Sequence, residues 1–209
     1  MEIASNALPR QSIYKILIGS VVPRPIGWIS TVNASGQPNL APFSFFNAVC
    51  SSPPTVLFCP MIRSTDGNKK DTLNNVKTTG EFVVNIVSEE LATAMIATSV
   101  EIAAEVNEFE LTGLTIAPSV IVKPPRVAES PIHFECRVSQ IVEVGNQPGG
   151  GSVVIGEIVH LHVDERVLIG EDKIDLAALK PIGRLAGNAY VRVTDIFQAE
   201  RPRSQIQPK

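Results

Sequence analysis

The feature of this sequence that most constrains its fold is a run of 38 residues, positions 25–62, without a single Asp, Glu, Lys or Arg. The other 171 residues carry all 39 charged side chains. A membrane-spanning helix needs about 20 mostly apolar residues that satisfy their own backbone groups. Six prolines interrupt the run, as do the amides of Asn33, Gln37, Asn39 and Asn47. The run therefore predicts part of a folded domain and not a membrane span.

Two interpretations of this uncharged run stay open on composition alone. It can form a buried sheet that also supplies an interface between subunits. It can instead line a pocket for a large, flat and nearly neutral ligand, with hydroxyl and amide side chains as the hydrogen-bonding groups.

The whole-chain composition excludes several classes of protein. With 209 residues, 44% of them hydrophobic, the chain predicts one folded domain over 1–209. Its net charge of −3 argues against nucleic-acid binding, which needs a basic surface. Cys50, Cys59 and Cys136 form no CxxC pair, as expected in a reducing compartment. The first ten residues do not resemble a signal peptide, so we expect a cytoplasmic protein that does not associate with membranes.

Short apolar segments separated by turn residues predict a mainly β fold, a barrel with a few helical insertions. Strands are predicted at 26–32, 38–45, 55–62, 82–87, 132–144 and 153–163, with a hairpin turn at 33–36. The glycines at 149–151 imitate a phosphate-binding loop, but a strand follows them, whereas such a loop must lead into a helix. We therefore predict a hairpin tip at 147–152.

Charge returns directly after the uncharged run, in the segment RSTDGNKKDT at 63–72. Asn68 is predicted to open a helix that Gly80 ends. Arg63, Lys69 and Lys70 then lie beside hydroxyl side chains and the free amides of the helix start, a combination that favours a phosphate group. The alternative is an ordinary capped helix on the surface.

The remaining polar residues give no sign of acid–base, nucleophilic or metal chemistry. His160 and His162 share one face of a predicted strand at a spacing that suits two metal ligands, but no third ligand lies nearby in the sequence. We predict a structural or interface role for both histidines and no metal site. The sequence contains no GxSxG motif and no paired carboxylates, so no catalytic residue is predicted.

Several ordered motifs resemble the flavin reductase-like, FMN-binding split-barrel family. They are PRPIGWIST (23–31), NLAPFSFFN (39–47), SPP (52–54), KDT (70–72), FVVNIV (82–87) and the closing residues RLxxNAY (184–190). The resemblance extends over about 14–201, which makes that range the expected core of the domain.

The resemblance implies a split β-barrel of Greek-key type, a homodimer, and FMN bound non-covalently near the dimer interface, with FAD as the alternative flavin. NADH or NADPH is implied as the electron donor. The ring and ribityl chain would be contacted by Arg24, Pro25, Ile26, Ser30, Thr31, Asn39, Ala41, Pro42, Ser44, Phe45 and Asn47. Lys70, Asp71 and Thr72 would lie near the phosphate, and the residue analysis adds Arg63.

Chemistry and resemblance point to the same ligand, because a flavin is flat, apolar on its faces and anionic only at its phosphate. The hypothesis is an FMN-binding oxidoreductase that passes electrons from NAD(P)H to free flavin, a ferric complex or a small molecule. A monooxygenase that uses reduced flavin is a possible partner. The alternative is a flavin-binding carrier or sensor without turnover.

Overall fold

A seven-stranded antiparallel sheet is the frame of the protein in this computed structural model, which describes residues 2–202. In spatial order its strands are β2 (Pro38–Phe43), β1 (Gly27–Val32), β5 (Glu81–Ile86), β8 (Ile132–Val144), β9 (Gly151–Val163), β4 (Pro54–Phe58) and β3 (Phe46–Ser51). Three two-stranded ladders complete the β-structure: β6 (Ile116–Ala117) with β7 (Arg126–Val127), β10 (Leu168–Ile169) with β11 (Lys173–Ile174), and β12 (Ile182–Arg184) with β13 (Tyr190–Arg192).

The helices are short and lie outside the sheet order. They are α1 (Arg10–Ser20), α2 (Asp71–Thr79), α3 (Ala92–Ala97), α4 (Glu108–Thr112) and α5 (Leu176–Leu179), with 3-10 turns at Ser5–Ala7, Glu89–Leu91 and Glu165–Val167. Among the described residues, no helix is long and apolar enough to cross a membrane.

The sheet curls into a barrel because its two edge strands are nearly continuous in the chain. β2 and β3 lie at opposite ends of the strand order, yet only Ser44 and Phe45 connect them. Within residues 2–202 no ladder joins β2 to β3, so the barrel is open along this seam. The structure thereby confirms the mainly β, barrel-like fold with few helices.

One apolar cluster fills the barrel. All seven strands of the sheet except β3 contribute a buried side chain to it, and α2 adds Leu73 and Val76. A second cluster lies outside the barrel, where Trp28 packs with Met95 of α3 and Phe109 of α4. Because α2 inserts two side chains into the barrel, its first turn is held at a fixed place beside β1 and β2.

The predicted hairpin tip between the two longest strands is confirmed. β8 pairs with β9 from Ile132↔Val163 to Val144↔Gly151, with two register shifts along the ladder. At the tip, Gly149 has φ +93°, and a Cβ on Gly150 would lie 2.7 Å from the backbone of Gly145. β9 begins two residues earlier than predicted, at Gly151.

Two strand predictions extend too far. The strand predicted at 38–45 ends at Phe43, where the chain turns into β3. The strand predicted at 55–62 ends at Phe58, because Pro60 has no N–H for the ladder, and only an isolated bridge between Met61 and Gly151 follows. α1 and β3 were not predicted at all.

The start of α2 also differs from the prediction. Asn68 does not cap the helix: its amide groups bond to the carboxylate of Asp66, and the helix begins at Asp71 with Lys70 as the N-cap residue. Gly80 ends the helix as predicted, in the left-handed conformation with φ +70°. The free helix start therefore lies at the KDT motif itself.

Candidate functional site

A small cavity of about 40 Å³, partly open to solvent, lies at the start of α2. Three sides enclose it: β2, the segment 63–72, and the segment that runs from the end of α3 to the start of α4. The side chains of the first two sides that line it all belong to the predicted flavin-binding set: Asn39, Ala41, Pro42, Arg63, Lys70, Asp71 and Thr72. The third side, which was not predicted, contributes Thr98, Ser99, Val100, Glu101, Ile102 and Glu108.

The helix start presents uncapped amides at this cavity. Lys70 has extended backbone angles, φ −65° and ψ 148°, and within residues 2–202 its side chain makes no capping hydrogen bond to the first turn of α2. The amides of Leu73 and Asn74 bond back to the carbonyl of Lys70. An uncapped helix N-terminus attracts anions, because its free N–H groups and the helix dipole both favour negative charge.

Arg63 lies at the same cavity with part of its guanidinium group unsatisfied. Its Nη2 donates to Asp71 Oδ2 at 2.5 Å, and its Nη1 lies 3.6 Å from Asp66 Oδ2. Its Nε is buried and has no hydrogen-bond partner among residues 2–202. A buried donor without an acceptor is costly, so Arg63, which lines the cavity, retains unused hydrogen-bonding capacity.

Lys70 is the second cation at the cavity, and its neighbour Lys69 is not. The Nζ of Lys70 lies 4.0 Å from Glu101 Oε1. Lys69 instead donates to Glu143 on β8, 2.9 Å away. Of the three cationic side chains that the sequence placed near a phosphate, the structure brings Arg63 and Lys70 to the cavity.

The chain matches the model of the flavin reductase like domain over residues 18–173. The chain belongs to the flavin reductase-like family.

Crystal structures of related proteins align with nearly the whole chain. Nitrilotriacetate monooxygenase component B from Bacillus cereus is 33% identical, with a TM-score of 0.90 over 95% of this chain and 98% of that one. The 2-nitrobenzoate 2-nitroreductase NbaA of Pseudomonas fluorescens is 31% identical, with a TM-score of 0.85 over 100% and 99%.

The fold prediction is confirmed by a more distant match. A Shewanella frigidimarina structure described as a flavin reductase with a split barrel domain is 23% identical, with a TM-score of 0.82 over 97% of this chain and all of that one. At this identity the match shows the split-barrel fold alone. Family membership supports the flavin cofactor and the oxidoreductase class, and it specifies neither the flavin nucleotide nor the donor or acceptor.

Three hydroxyl-bearing residues of the predicted flavin-binding set in this flavin reductase-like chain form hydrogen bonds inside the protein. Thr72 is buried and its Oγ1 accepts from Asn39 Nδ2 at 3.0 Å. Thr31 is fully buried and accepts from Asn75. Ser30, also fully buried, donates to the carbonyl of Pro125. The Asn39–Thr72 bond ties β2 to α2 and holds the cavity wall in shape, whereas Ser30 and Thr31 do not line the cavity.

Arg24, Ser44 and Phe45 form a separate group at the barrel seam. Arg24 is 5% exposed, and its guanidinium donates to Ser44 Oγ and to the carbonyls of Ile18, Val21 and Leu185. Burial, and then the nearby Arg184, lower the pKa of Arg24. The side chain therefore ties the end of α1 and the C-terminal segment to the link between β2 and β3.

The other residues predicted to contact the flavin lie apart from one another. Ile26 is buried in the outer apolar cluster. Pro25 is exposed, and Asn47 is exposed on β3. None of these three lines the cavity, so their role in flavin binding stays a prediction.

Glu108 is a cavity residue that the sequence analysis missed. Although Glu108 lies in an acidic stretch of the chain, it is only 7% exposed, and its Oε2 accepts from the amide of Leu40 at 3.0 Å. Burial raises the pKa of the Glu108 carboxyl. A contact between α4 and a distant strand leaves no local pattern in the sequence that could have revealed it.

The histidines pack together on one face of β8 and β9. The ring of His162 lies 4.7 Å from that of His160 and 5.9 Å from that of His133, centroid to centroid. His162 Nε2 is 2.6 Å from Oε1 of the fully buried Glu135. Within residues 2–202, no group of three or more His, Cys, Asp or Glu side chains is arranged to hold a metal ion.

Glu135 holds the loop that precedes β7. Its carboxylate accepts from the amides of Val120, Ile121 and Val122 at 2.6–3.1 Å. Burial alone would raise the pKa of Glu135, but the hydrogen bonds from His162 and from these amides outweigh it and lower the pKa to about 2. These contacts support a structural role for His162.

His133 makes the stability of the protein depend on pH. Burial lowers the pKa of His133 to about 4, so the unfolded chain binds more protons than the folded chain between pH 6.5 and 4. We expect this group to remove up to about 3 kcal/mol of unfolding free energy as the pH falls through that window. The measurement is urea unfolding of the protein and of His133→Gln, which retains an amide donor for the carbonyl of Val127.

The variant should lose this part of the pH dependence, whereas the control His160→Gln, on the same sheet face, should retain it. Equal pH profiles for His133→Gln and the unmodified protein would contradict the assignment.

Proposed function

We propose that this protein is an FMN-binding oxidoreductase that takes electrons from NADH or NADPH and passes them to a second acceptor. One observation carries the proposal: an uncapped helix start and a buried, unsatisfied Arg63 Nε meet an uncharged strand at a single cavity. A flavin mononucleotide needs this combination, because its ring is neutral and its phosphate is doubly anionic.

The residues divide between the two ends of the ligand. Arg63, Lys70 and the first amides of α2 would hold the phosphate, and Asn39, Ala41 and Pro42 of β2 would lie along the ribityl chain and ring. FMN is favoured over FAD, because a second phosphate would add negative charge beside Glu101 and Glu108, which line the same cavity.

The bound flavin supplies the redox chemistry, since its ring accepts a hydride and gives up its electrons in steps of one or two. The side chains of this protein would bind and orient the flavin. The charged groups at the helix start neutralise the phosphate, and the Asn39–Thr72 hydrogen bond holds β2 and α2 together around it. No acid–base residue is required of the protein.

We propose a monooxygenase component as the acceptor of electrons in the form of reduced flavin. The support is the similarity to a structure named as component B of nitrilotriacetate monooxygenase. A ferric complex or a small organic molecule is the alternative acceptor, and the similarity to a nitroreductase supports the small molecule.

We also propose a cytoplasmic location, which suits three free cysteines.

We propose that the protein is a homodimer that buries α1. None of the residues of this helix is buried in the single chain. Its Tyr14, Ile16 and Leu17 are 43%, 46% and 49% exposed, and Val49 on the edge strand β3 is 50% exposed. Apolar surface of this kind is typical of an interface between subunits.

Light scattering tests the dimer. At micromolar concentration we expect a particle of twice the 22.5 kDa chain mass, and Leu17→Glu should shift it toward the monomer because it places a charge in the interface. The control is Leu111→Glu, a substitution of an equally exposed leucine on α4, which should leave the dimer intact. A 22.5 kDa particle for the unmodified protein would rule the dimer out.

The phosphate site is tested by Lys70→Ala. Removing one charged donor should weaken FMN binding by about 1–2 kcal/mol, or roughly five- to thirtyfold. Riboflavin, which has no phosphate, should bind equally well before and after the change. The measurement is titration of flavin fluorescence, and the matched control is Lys69→Ala, whose Nζ pairs with Glu143 away from the cavity. Unchanged FMN affinity in Lys70→Ala would exclude this site.

The enzyme and the carrier are distinguished by a reduction experiment. We expect the protein mixed with FMN to show the yellow absorption bands of bound flavin, and NADH or NADPH to bleach them within seconds without oxygen. The nucleotide that bleaches faster identifies the donor. If neither nucleotide reduces the bound flavin faster than it reduces free FMN, the protein is a carrier or sensor and the enzyme proposal is wrong.

A further inference from the structure

The third side of the cavity is a strap, here defined as residues 99–107, which joins two firmly held positions. At one end, buried Thr98 accepts from Trp28 Nε1 at 2.9 Å and donates to the carbonyl of Met95. At the other end, buried Glu108 accepts from the amide of Leu40. Thr98 and Glu108 both line the cavity, as do Ser99, Val100, Glu101 and Ile102 of the strap, which therefore forms one wall of the cavity.

Between these ends, few contacts hold the strap. It contains no helix or strand, and most of its residues are exposed. Within it, the amide of Val106 bonds to the carbonyl of Ala103, and Gln37 Nε2 donates to the carbonyl of Glu105 at 2.7 Å. A segment with exposed backbone and little apolar burial opens at low free-energy cost. The strap can therefore move while the barrel stays folded.

One side chain of the strap reaches the cationic end of the cavity. Glu101 Oε2 accepts from Thr65 Oγ1 at 2.6 Å, and its Oε1 lies 4.0 Å from Lys70 Nζ. Thr65 and Lys70 both belong to the segment 63–72, which we propose to hold the flavin phosphate. The carboxylate thus makes contacts that a phosphate oxygen would make.

We propose that Glu101 is an internal competitor for the phosphate, occupying the place beside Lys70 when no flavin is bound. This inference rests on the proposed FMN site. A phosphate monoester carries about −1.5 to −2 charges against −1 for the carboxylate, so it displaces Glu101 and frees the strap. The cost of that displacement lowers the affinity for FMN and leaves the affinity for riboflavin unchanged.

The other carboxylates at the cavity do not fit this role. Asp71 lies in the first turn of α2 and pairs with Arg63 at 2.5 Å. Glu108 is held by the amide of Leu40. Glu101 alone among the acidic residues lining the cavity sits on the weakly held strap.

The test measures dissociation constants for FMN and riboflavin by fluorescence titration of the unmodified protein, Glu101→Gln and Glu105→Gln. Glu101→Gln should bind FMN about two- to fivefold more tightly, the effect of removing one partly exposed ion pair. Its affinity for riboflavin should not change. Glu105→Gln makes the same charge change on the same strap, without a side-chain contact to Lys70, and should behave as the unmodified protein.

Three results would overturn the inference. Glu101→Gln could bind FMN no better than the unmodified protein, which would mean that the carboxylate does not compete. It could bind FMN and riboflavin more tightly by the same factor, which would mean that the substitution acts through the position of the strap and not through the charge. An unmodified protein that binds riboflavin but gains nothing from the phosphate would instead refute the proposed phosphate site, and the competitor with it.

Discussion

The position of α2 against the barrel is the constraint on which the site depends. Leu73 and Val76 pack into the interior cluster together with side chains from six strands. This packing holds the first turn of the helix beside β2, and the Asn39–Thr72 hydrogen bond adds a direct link. The uncapped amides, the cations of the segment 63–72 and the uncharged strand therefore meet at one place. Without the buried pair, the helix start would be an ordinary surface feature.

Carboxylates of the same chain balance the cations that line the cavity. Each cation has a carboxylate partner from its own chain, Asp71 for Arg63 and Glu101 for Lys70. Two unpaired cations at the start of a helix would repel each other and the helix dipole. The pairing removes that cost, and it leaves Arg63 Nε as an unsatisfied donor. In the proposed exchange, a phosphate replaces the weakly held carboxylate of Glu101 with little rearrangement of the barrel.

The sequence predicts the parts of the fold that local patterns determine. Strand patterning predicts the long strand at 132–144, and turn chemistry predicts the hairpin at 147–152 and the end of the helix at Gly80. The distribution of charge predicts that a cationic segment adjoins the uncharged run. Other parts depend on distant contacts. α1 buries none of its residues in the single chain and β3 is almost wholly exposed, so packing against the barrel interior does not set the pattern of their apolar side chains. Glu101 and Glu108 reach the cavity through contacts with residues more than thirty positions away.

A crystal structure of the complex with FMN would test the central claim most directly. The account predicts the phosphate within hydrogen-bond distance of Lys70 Nζ and the first amides of α2, with Arg63 Nε satisfied and Glu101 withdrawn from Lys70. A phosphate bound elsewhere, with the Glu101–Lys70 contact intact and the cavity still empty, would contradict it.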